Sequence, residues 1–163
     1  EFTLDCYFCV GLTEIFNELT EGYEPQEHVK NLFSALCKST NFKNDEIVEI
    51  SNTTINEHQN KSLEEIFNLV IKKSSKKLYY SRILMLGIYK ILTKANDFKD
   101  NEDITKIKII SELAEKLELP LTRAEKDISI YKTSIKRLSQ ARELLKETVL
   151  ADRKKREDKN KKN

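Results

Sequence analysis

The sequence predicts an all-α protein: a helical bundle around a central pair of apolar helices, with a long projecting C-terminal helix. Only 3 Gly and 2 Pro occur in 163 residues, whereas sheet-rich folds need many turn-forming residues. Charged residues make up 34% of the chain, and the strong helix formers Leu, Lys and Glu are prominent. Apolar residues recur three and four positions apart along much of the chain, which is helical spacing.

The first two helices are predicted from a cap residue and a proline. Asp5 is placed to accept hydrogen bonds from the first backbone N–H groups of a helix that runs to about Thr20. Gly22 is expected to end this helix. Pro25 suits the first residue of a second helix, because its fixed φ matches the helix and its missing N–H is not needed there.

The middle of the chain predicts two more helices and a loop. A weak helix is expected over 44–51, and the polar, Asn- and Thr-rich stretch 51–60 is expected to be a loop. Ser62 and Glu65 have the spacing of a capping box, in which each side chain satisfies a backbone N–H of the other residue. The box predicts a helix that begins directly after Ser62.

Two helices are predicted between positions 81 and 120. Ser81 is expected to cap a helix over 83–92 that is apolar nearly all round, which is typical of a helix at the centre of a core. The stretch 96–102 is expected to be a loop, and apolar residues at helical spacing over 104–117 predict the next helix. Pro120 is expected to end it.

The last predicted helix is the longest. Thr122 and Glu125 have the spacing of a second capping box, and no helix-breaking residue follows before the basic end. Positions three and four apart form a pattern typical of a coiled-coil seam, with one polar exception at Arg142. The seam consists of Ile128, Tyr131, Ile135, Leu138, Arg142, Leu145 and Val149.

This pattern predicts a helical body over 1–121, a long helix over 122–157 and a basic disordered tail over 158–163. At ~1.5 Å per residue the long helix would reach about 54 Å, which exceeds the ~30 Å of a small domain. Part of it is therefore expected to project from the body.

Two segments of the chain resemble each other. Gly11 and Gly87 follow the cap residues Asp5 and Ser81 at the same distance, and large apolar residues match around them. A glycine inside a helix costs about 1 kcal/mol relative to alanine, so close contact between the two helices is the expected gain. We expect these helices to cross near Gly11 and Gly87; chance similarity is the alternative.

Charge is unevenly distributed along the chain. The net charge is +2, but residues 152–163 contain seven Lys or Arg and three Asp or Glu. The body therefore has no excess of positive charge, which argues against a nucleic-acid-binding surface there. No apolar run approaches the ~20 residues needed to span a bilayer.

No catalytic, cofactor-binding or metal-binding constellation is predicted. Cys6 and Cys9 have CxxC spacing, and a helix N-terminus would lower a thiol pKa, but the βαβ context of a redox enzyme is missing. Ordinary packing is therefore the preferred interpretation, with a redox enzyme as the alternative. With Cys37 the cysteines form an odd, sparse set, which predicts a reducing compartment. His28 and His58 lack a second His or Cys one turn away, as a local zinc site would need, and His28 is expected to be solvated.

Two regions are candidates for binding a partner. Arg82 lies in the first turn of its helix, where the helix dipole disfavours a cation, so a buried or half-buried carboxylate is expected to hold it. Tyr80 lies beside it. The second region is the basic end, which suits an acidic protein face, anionic lipid or nucleic acid; a solubilising, disordered end is the alternative. No aromatic residues interrupt it, so base stacking is not indicated.

Several groups of residues occur in the order of a known family. They are Glu21-Gly22-Tyr23-x-Pro25, Leu32-Phe33-x-Ala35-Leu36-Cys37, Tyr80-Ser81-Arg82 followed by Gly87, Asp127 to Lys132, and Leu144-Leu145-Lys146-Glu147-Thr148. In these motifs the chain resembles the thylakoid formation family, also known as a photosystem II biogenesis factor. That family usually carries one more helical segment before the equivalent of Glu1, so the chain is expected to be a fragment that lacks it.

The resemblance implies a non-enzymatic interaction protein that supports thylakoid biogenesis and photosystem II assembly and repair. The implied partner is the membrane-bound FtsH protease, whose complexes the family helps to maintain. The implied location is the chloroplast stroma and thylakoid periphery, or the cyanobacterial cytoplasm at the thylakoid surface, where the basic end would suit the membrane. A basic-tailed helical module that binds nucleic acid is the alternative. The resemblance does not determine the oligomeric state, nor whether the protein acts as a chaperone or as a scaffold.

Two sets of residues are singled out. The predicted protein-binding residues are Tyr80, Arg82, Tyr131, Lys132, Arg142, Leu145, Arg153, Lys154, Lys155 and Arg156. The predicted structural residues are Gly11, Gly22, Tyr23 and Gly87.

Overall fold

The computed structural model describes residues 4–74, 78–99 and 103–160, and over those residues it contains helices and no β-strand. The predicted all-α class is therefore confirmed. The helices are α1 (Cys6–Thr20), α2 (Gln26–Ser39), α3 (Asn44–His58), α4 (Leu63–Lys73), α5 (Arg82–Leu92), α6 (Asn96–Lys99), α7 (Asp103–Lys116) and α8 (Leu121–Asn160).

The chain forms two compact units, Glu1–Ser129 and Ile130–Asn163, and α8 runs through both. The first unit contains α1 to α7 and the first turns of α8, and it holds the buried core. The predicted division into a body, a projecting helix and a tail stays a prediction. Within the residues described, no helix combines the length and apolar character that crossing a bilayer requires.

The core of the first unit is centred on α1 and α5, which cross at their glycines. A Cβ atom built on Gly11 would lie 2.0 Å from the carbonyl oxygen of Ile83, and one built on Gly87 would lie 1.8 Å from the carbonyl oxygen of Tyr7. These distances leave no room for a side chain, so the crossing requires glycine in both helices. The predicted contact between the two glycines is confirmed.

The predicted caps of three helices are present. Asp5 accepts hydrogen bonds from the backbone N–H groups of Tyr7 and Phe8 at the start of α1. Ser62 and Glu65 form both hydrogen bonds of the capping box that begins α4. The Ser81 hydroxyl accepts a hydrogen bond from the backbone N–H of Leu84 at the start of α5. Each of these helices begins where its local hydrogen-bonding chemistry predicts.

The turn between α1 and α2 differs slightly from the prediction. Gly22 has a φ of +75°, a left-handed conformation that favours glycine, and it follows the end of α1 as expected. Pro25, however, is the N-cap residue before α2 and not its first helical residue. An N-cap residue is extended, and Pro25 adopts such a conformation with φ −80° and ψ 151°.

The largest error of the sequence analysis concerns α3. The stretch 51–60 was expected to be a loop, but α3 continues to His58. The polar residues Ser51, Thr54 and His58 recur three and four positions apart and are all buried on one face of the helix. Because each of them forms a hydrogen bond in the core, polar composition did not indicate a loop here.

The partners of this buried polar face come from α1 and from α3 itself. The Ser51 hydroxyl lies 2.6 Å from that of Thr13. The Nδ1 atom of His58 lies 2.7 Å from the carbonyl oxygen of Thr54, and its Nε2 atom lies 3.4 Å from the Tyr7 hydroxyl. The second half of α3 is therefore held against α1 by polar as well as apolar contacts.

Three further expectations are corrected, two near the end of the first unit and one at the end of α8. Residues 96–99 form the short helix α6, although 96–102 was expected to be a loop, and 100–102 lie outside the described residues. The capping box expected at Thr122 does not begin α8, because Thr122 is already the second helical residue. Glu125 instead accepts a hydrogen bond of 2.6 Å from the Ser111 hydroxyl of α7. The far end of α8 is Asn160, beyond the expected 157.

Candidate functional site

The first candidate site is a cluster around a buried carboxylate on α8. Asp127 is 4% exposed. Its Oδ2 atom accepts a hydrogen bond of 2.7 Å from the Tyr80 hydroxyl, and its Oδ1 atom accepts one of 3.0 Å from Nε of Arg82. The carboxylate that was expected to hold Arg82 is therefore present. It belongs to the part of α8 that lies in the first unit.

The charges around Asp127 explain why it is tolerated inside the protein. The Arg82 side chain is 62% exposed, so its guanidinium pairs with the carboxylate while staying hydrated. A second guanidinium, that of Arg123, lies 5.1 Å from the centre of the Tyr80 ring, within range of a cation–π contact. Burial and the neighbouring Asp127 raise the pKa of Tyr80, so its hydroxyl stays protonated and can donate.

This cluster has a structural function first. It joins the residues that lead into α5 to the first turns of α8, and the half-buried Tyr80 and the buried Asp127 are already hydrogen-bonded to each other. Arg82 and Arg123 are the exposed members that a partner could reach. The binding role expected for Tyr80 and Arg82 stays a prediction. Sequence reasoning anticipated a carboxylate for Arg82 but did not identify Asp127, because nothing in the spacing of 45 residues links the two.

The second candidate site lies on the part of α8 within the second unit. Four large apolar side chains are exposed within two helical turns: Leu144 at 64%, Leu145 at 67%, Val149 at 50% and Leu150 at 61%. Basic side chains border them and are also exposed. We call this set the distal surface of α8; it comprises Leu144, Leu145, Lys146, Val149, Leu150, Arg153 and Lys154.

The structure places the predicted binding residues of the second unit in different surroundings. Leu145, Arg153 and Lys154 belong to the distal surface, whereas Tyr131 and Arg142 are half-buried and Lys132 is exposed. The side chains of Lys155 and Arg156 lie outside the described residues. Sequence reasoning did not single out Leu144 and Leu150 as candidate binding residues, although two adjacent apolar pairs in a highly charged stretch are an available signal.

The cysteines do not have the properties of a redox site. Cys9 and Cys37 are buried, and Cys6 is half-buried in the first turn of α1. Burial raises the pKa of Cys9 to about 12 and also raises the pKa of Cys6 and of Cys37. At Cys6 a backbone hydrogen bond at the helix N-terminus lowers the thiol pKa, as the redox alternative requires, but desolvation by burial is the larger effect. A nucleophilic thiol needs the opposite shift.

The two histidines differ in environment. His28 is exposed, as expected, whereas His58 is fully buried in the polar face of α3. Burial lowers the pKa of His58 and so favours the neutral form of its imidazole. Among the residues that the structure describes, no group of three or more His, Cys, Asp or Glu side chains is arranged to hold a metal ion.

An open cleft lies between α1, α2 and α3. Its volume is about 440 Å³, and both apolar and polar side chains line its walls. The apolar lining residues are Phe16, Val29, Phe33, Val48 and Ile55. Leu32 and Leu36 of α2 are exposed apolar residues of the same unit, and they provide a second apolar surface with which the distal surface can be compared.

Comparison with known proteins relates this architecture to one family. The model of the family described as thylakoid formation protein matches residues 1–160. The protein Thf1 of Prochlorococcus marinus strain MIT 9312 is 52% identical over 155 residues, which cover 95% of this chain and 77% of the relative. Thf1 of Parasynechococcus marenigrum strain WH8102 is 32% identical over 158 residues, which cover 96% of this chain and 73% of the relative.

A solved structure supports the same relationship at the level of the fold. The structure of Psb29 matches with a TM-score of 0.78 and 23% sequence identity, over 96% of this chain and 79% of that one. The matching family supports a role in thylakoid formation and photosystem II biogenesis, and both Thf1 relatives are cyanobacterial. The family match over residues 1–160 and the 52% identity to Thf1 together show that this chain belongs to the thylakoid formation protein family.

Proposed function

We propose that this protein is a non-enzymatic interaction factor that supports photosystem II assembly and repair by binding the FtsH protease and maintaining its complexes. Family membership supports the biological process. The distal surface of α8 is the observation that carries the binding role. The proposed location is the thylakoid periphery, and the cyanobacterial relatives favour the cytoplasm over a chloroplast stroma.

The distal surface has the physical properties of a protein-binding site. Single exposed leucines are common, but four large apolar side chains within two turns form a patch whose burial is favourable. Each such side chain contributes about 1.5–3 kcal/mol when it is fully buried. The basic side chains of Lys146, Arg153 and Lys154 border this patch, and charged borders set orientation and partner choice. A helix of this kind suits a groove or a second helix.

The reactive groups of the first unit support a non-enzymatic function. Asp127 forms an ion pair with Arg82 and accepts a hydrogen bond from Tyr80, and His58 is hydrogen-bonded within the core. The thiol of Cys9 has a raised pKa. Each of these groups therefore has a structural partner or a protonation state that disfavours nucleophilic chemistry.

The proposal can be tested by co-purification from thylakoid extracts with the tagged 163-residue chain. The test variant is Leu144→Ser/Leu145→Ser/Val149→Ser/Leu150→Ser, which removes the apolar patch from positions that are exposed and therefore contribute little to folding. The matched control is Leu32→Ser/Leu36→Ser on α2, which also removes exposed leucines. We expect the control to retain FtsH and the test variant to lose most of it.

If the test variant retains FtsH and the control variant loses it, the binding site lies on the body and the proposal is contradicted. Circular dichroism of both variants establishes that each is folded.

The nucleic-acid alternative predicts that the chain binds duplex or single-stranded DNA with an affinity that falls steeply with salt. Loss of that binding on changing Arg153 and Lys154 to Gln would favour the alternative.

A further inference from the structure

We propose that the distal surface of α8 docks an amphipathic helix whose apolar stripe is bordered by acidic side chains, and not a second copy of this chain. This inference rests on the proposed role of that surface in protein binding. It adds the chemical character of the partner, which neither the family match nor the relatives supply.

An apolar stripe runs along one face of the second-unit part of α8. Leu145 and Val149 are four residues apart, so they lie on the same face, one turn from each other. They continue the seam of Leu138 and Arg142, whose side chains are half-buried, into a region where the seam is exposed. A stripe with this spacing is the surface that a second helix covers by inserting its side chains between those of the first.

The flanks of this stripe are chemically unequal. On one flank Lys132 directly follows Tyr131, and Lys146 directly follows Leu145; both lysines are exposed. Arg153 continues this flank. The other flank has the uncharged residues Ser134, Ala141 and Thr148 beside the apolar stripe, and Lys155 is the next residue at this spacing. Glu143 and Glu147 point away from the seam, because they lie one and five residues after Arg142 on a helix of ~3.6 residues per turn.

Pairing of two copies would bring like charges together. In a parallel, in-register pair, Arg142 would face its own counterpart inside the seam. In an antiparallel pair centred on Leu145, Lys146 would face its counterpart. Polar residues within a seam and charges beside it determine which helices pair, so this pattern disfavours self-association. Acidic side chains opposite Lys146 and Arg153 would instead form ion pairs with them.

An anionic membrane fits the surface less well than an acidic helix does. Membrane-surface helices commonly carry Trp or Phe on the apolar face and Lys or Arg on the polar face. No aromatic residue follows Tyr131, and the exposed acids Glu143, Glu147 and Asp152 would approach the headgroups. Glu143 and Glu147 cause no such conflict with one helix, because a partner helix contacts only the seam and its flanks. Asp152, seven residues after Leu145, lies on the seam itself.

The test measures binding of the 163-residue chain to two fluorescent probe peptides by anisotropy. Both peptides are four-heptad helices with Ile and Leu at the seam positions; one has Glu on both flanks and the other has Lys. We expect the chain to bind the Glu peptide more tightly by about fivefold, as expected for one or two exposed ion pairs. The preference should weaken as salt is raised.

Charge reversal on the chain makes the test specific. Lys146→Glu should lower affinity for the Glu peptide and raise affinity for the Lys peptide, so that the preference disappears or inverts. Lys108→Glu on α7 changes the net charge equally, and this lysine is exposed in the first unit. It should leave the preference unchanged. Leu145→Ser/Val149→Ser should weaken binding of both peptides.

Several results would overturn the inference. They are equal binding of the two peptides, an unchanged preference in Lys146→Glu, a dimer in sedimentation that Leu145→Ser/Val149→Ser dissociates, or stronger binding to phosphatidylglycerol vesicles than to either peptide. The outcome is separable from that of the proposed function. Peptide preference without FtsH co-purification would contradict only the proposed partner, whereas FtsH co-purification without peptide preference would contradict only the acidic helix.

Discussion

At the scale of single residues, the glycines at the crossing of α1 and α5 have the clearest physical role. A helical glycine costs about 1 kcal/mol relative to alanine, yet Gly11 and Gly87 both lie within helices. The gain is direct backbone contact between two apolar helices, which buries residues such as Tyr7 and Ile88 completely. The distances leave no alternative residue at either position.

Gly87→Ala should therefore destabilise the protein severely. The new methyl group would lie 1.8 Å from the carbonyl oxygen of Tyr7, and a backbone atom cannot yield as a side chain would, so the helices must separate. We expect a loss of about 3 kcal/mol, at the upper end for overpacked cores, measured by urea denaturation. Gly22→Ala is the control, since nothing crowds Gly22, and its left-handed φ should cost only about 1 kcal/mol. Similar stability of Gly87→Ala and wild type would refute the crossing.

His58 gives the protein a pH-dependent stability. Burial lowers the pKa of His58, and Lys73 and Lys61 lower it further, while Glu57 and the hydrogen bond to Thr54 oppose this. The unfolded chain therefore binds more protons than the folded chain below the ordinary histidine pKa of 6.5. Because stability rises with pH wherever the unfolded state holds more protons, the contribution is complete above that pH and decreases as pH falls below it.

His58→Gln should flatten this acid dependence. We expect the free energy of unfolding of wild type to fall between about pH 7.5 and pH 5 more than that of the variant does, because glutamine does not titrate. Urea denaturation at the two pH values provides the comparison. His28→Gln, at an exposed position, serves as the control and should keep the wild-type dependence. An equal slope in His58→Gln and wild type would show that another group is responsible.

At the scale of secondary-structure elements, the first turns of α8 are fixed by the cluster around Asp127. The carboxylate is buried and bonded to Tyr80 and Arg82, and neighbouring Ala124 and Ile128 are buried as well. Such a pair is more strongly coupled than an exposed one, since solvent screens it less.

A double-mutant cycle of Asp127→Ala and Arg82→Ala measures that coupling. We expect the two residues to be coupled by about 1–2 kcal/mol, as for hydrogen bonds to a charged group. The exposed pair of Glu57 and Lys73 is the control and should show at most about 0.5 kcal/mol. Equal coupling in the two cycles would mean that Asp127 does not fix α8 more firmly than a surface ion pair would.

The same elements show which features could be predicted from the sequence. The starts of α1, α4 and α5 were predictable, because a cap side chain bonds to backbone groups within three residues of itself. The end of α3 was not predictable from local sequence, because burial of Thr54 and His58 depends on Tyr7 and the rest of α1. The expected capping box of Thr122 failed for a related reason: Glu125 bonds to Ser111 of another helix.

At the scale of the whole molecule, the fold class followed from composition and spacing, and the candidate site followed only in part. Leu145, Arg153 and Lys154 were identified from the seam and the charge run. The exposure of Leu144 and Leu150 depends on what else in the protein packs against α8, and spacing alone does not contain that information. Apolar residues at helical spacing are normally predicted to lie in the core, so spacing does not identify a surface whose apolar groups are buried only in a complex.

The central claim is that the distal surface of α8 carries the function of the protein in photosystem II biogenesis. The direct measurement is the recovery of photosystem II variable fluorescence after strong light, in a cyanobacterium that lacks its own family member. The strain expresses either the wild-type chain or Leu144→Ser/Leu145→Ser/Val149→Ser/Leu150→Ser at equal protein level. We predict that the wild-type chain restores recovery and the variant does not; full recovery with the variant would contradict the account.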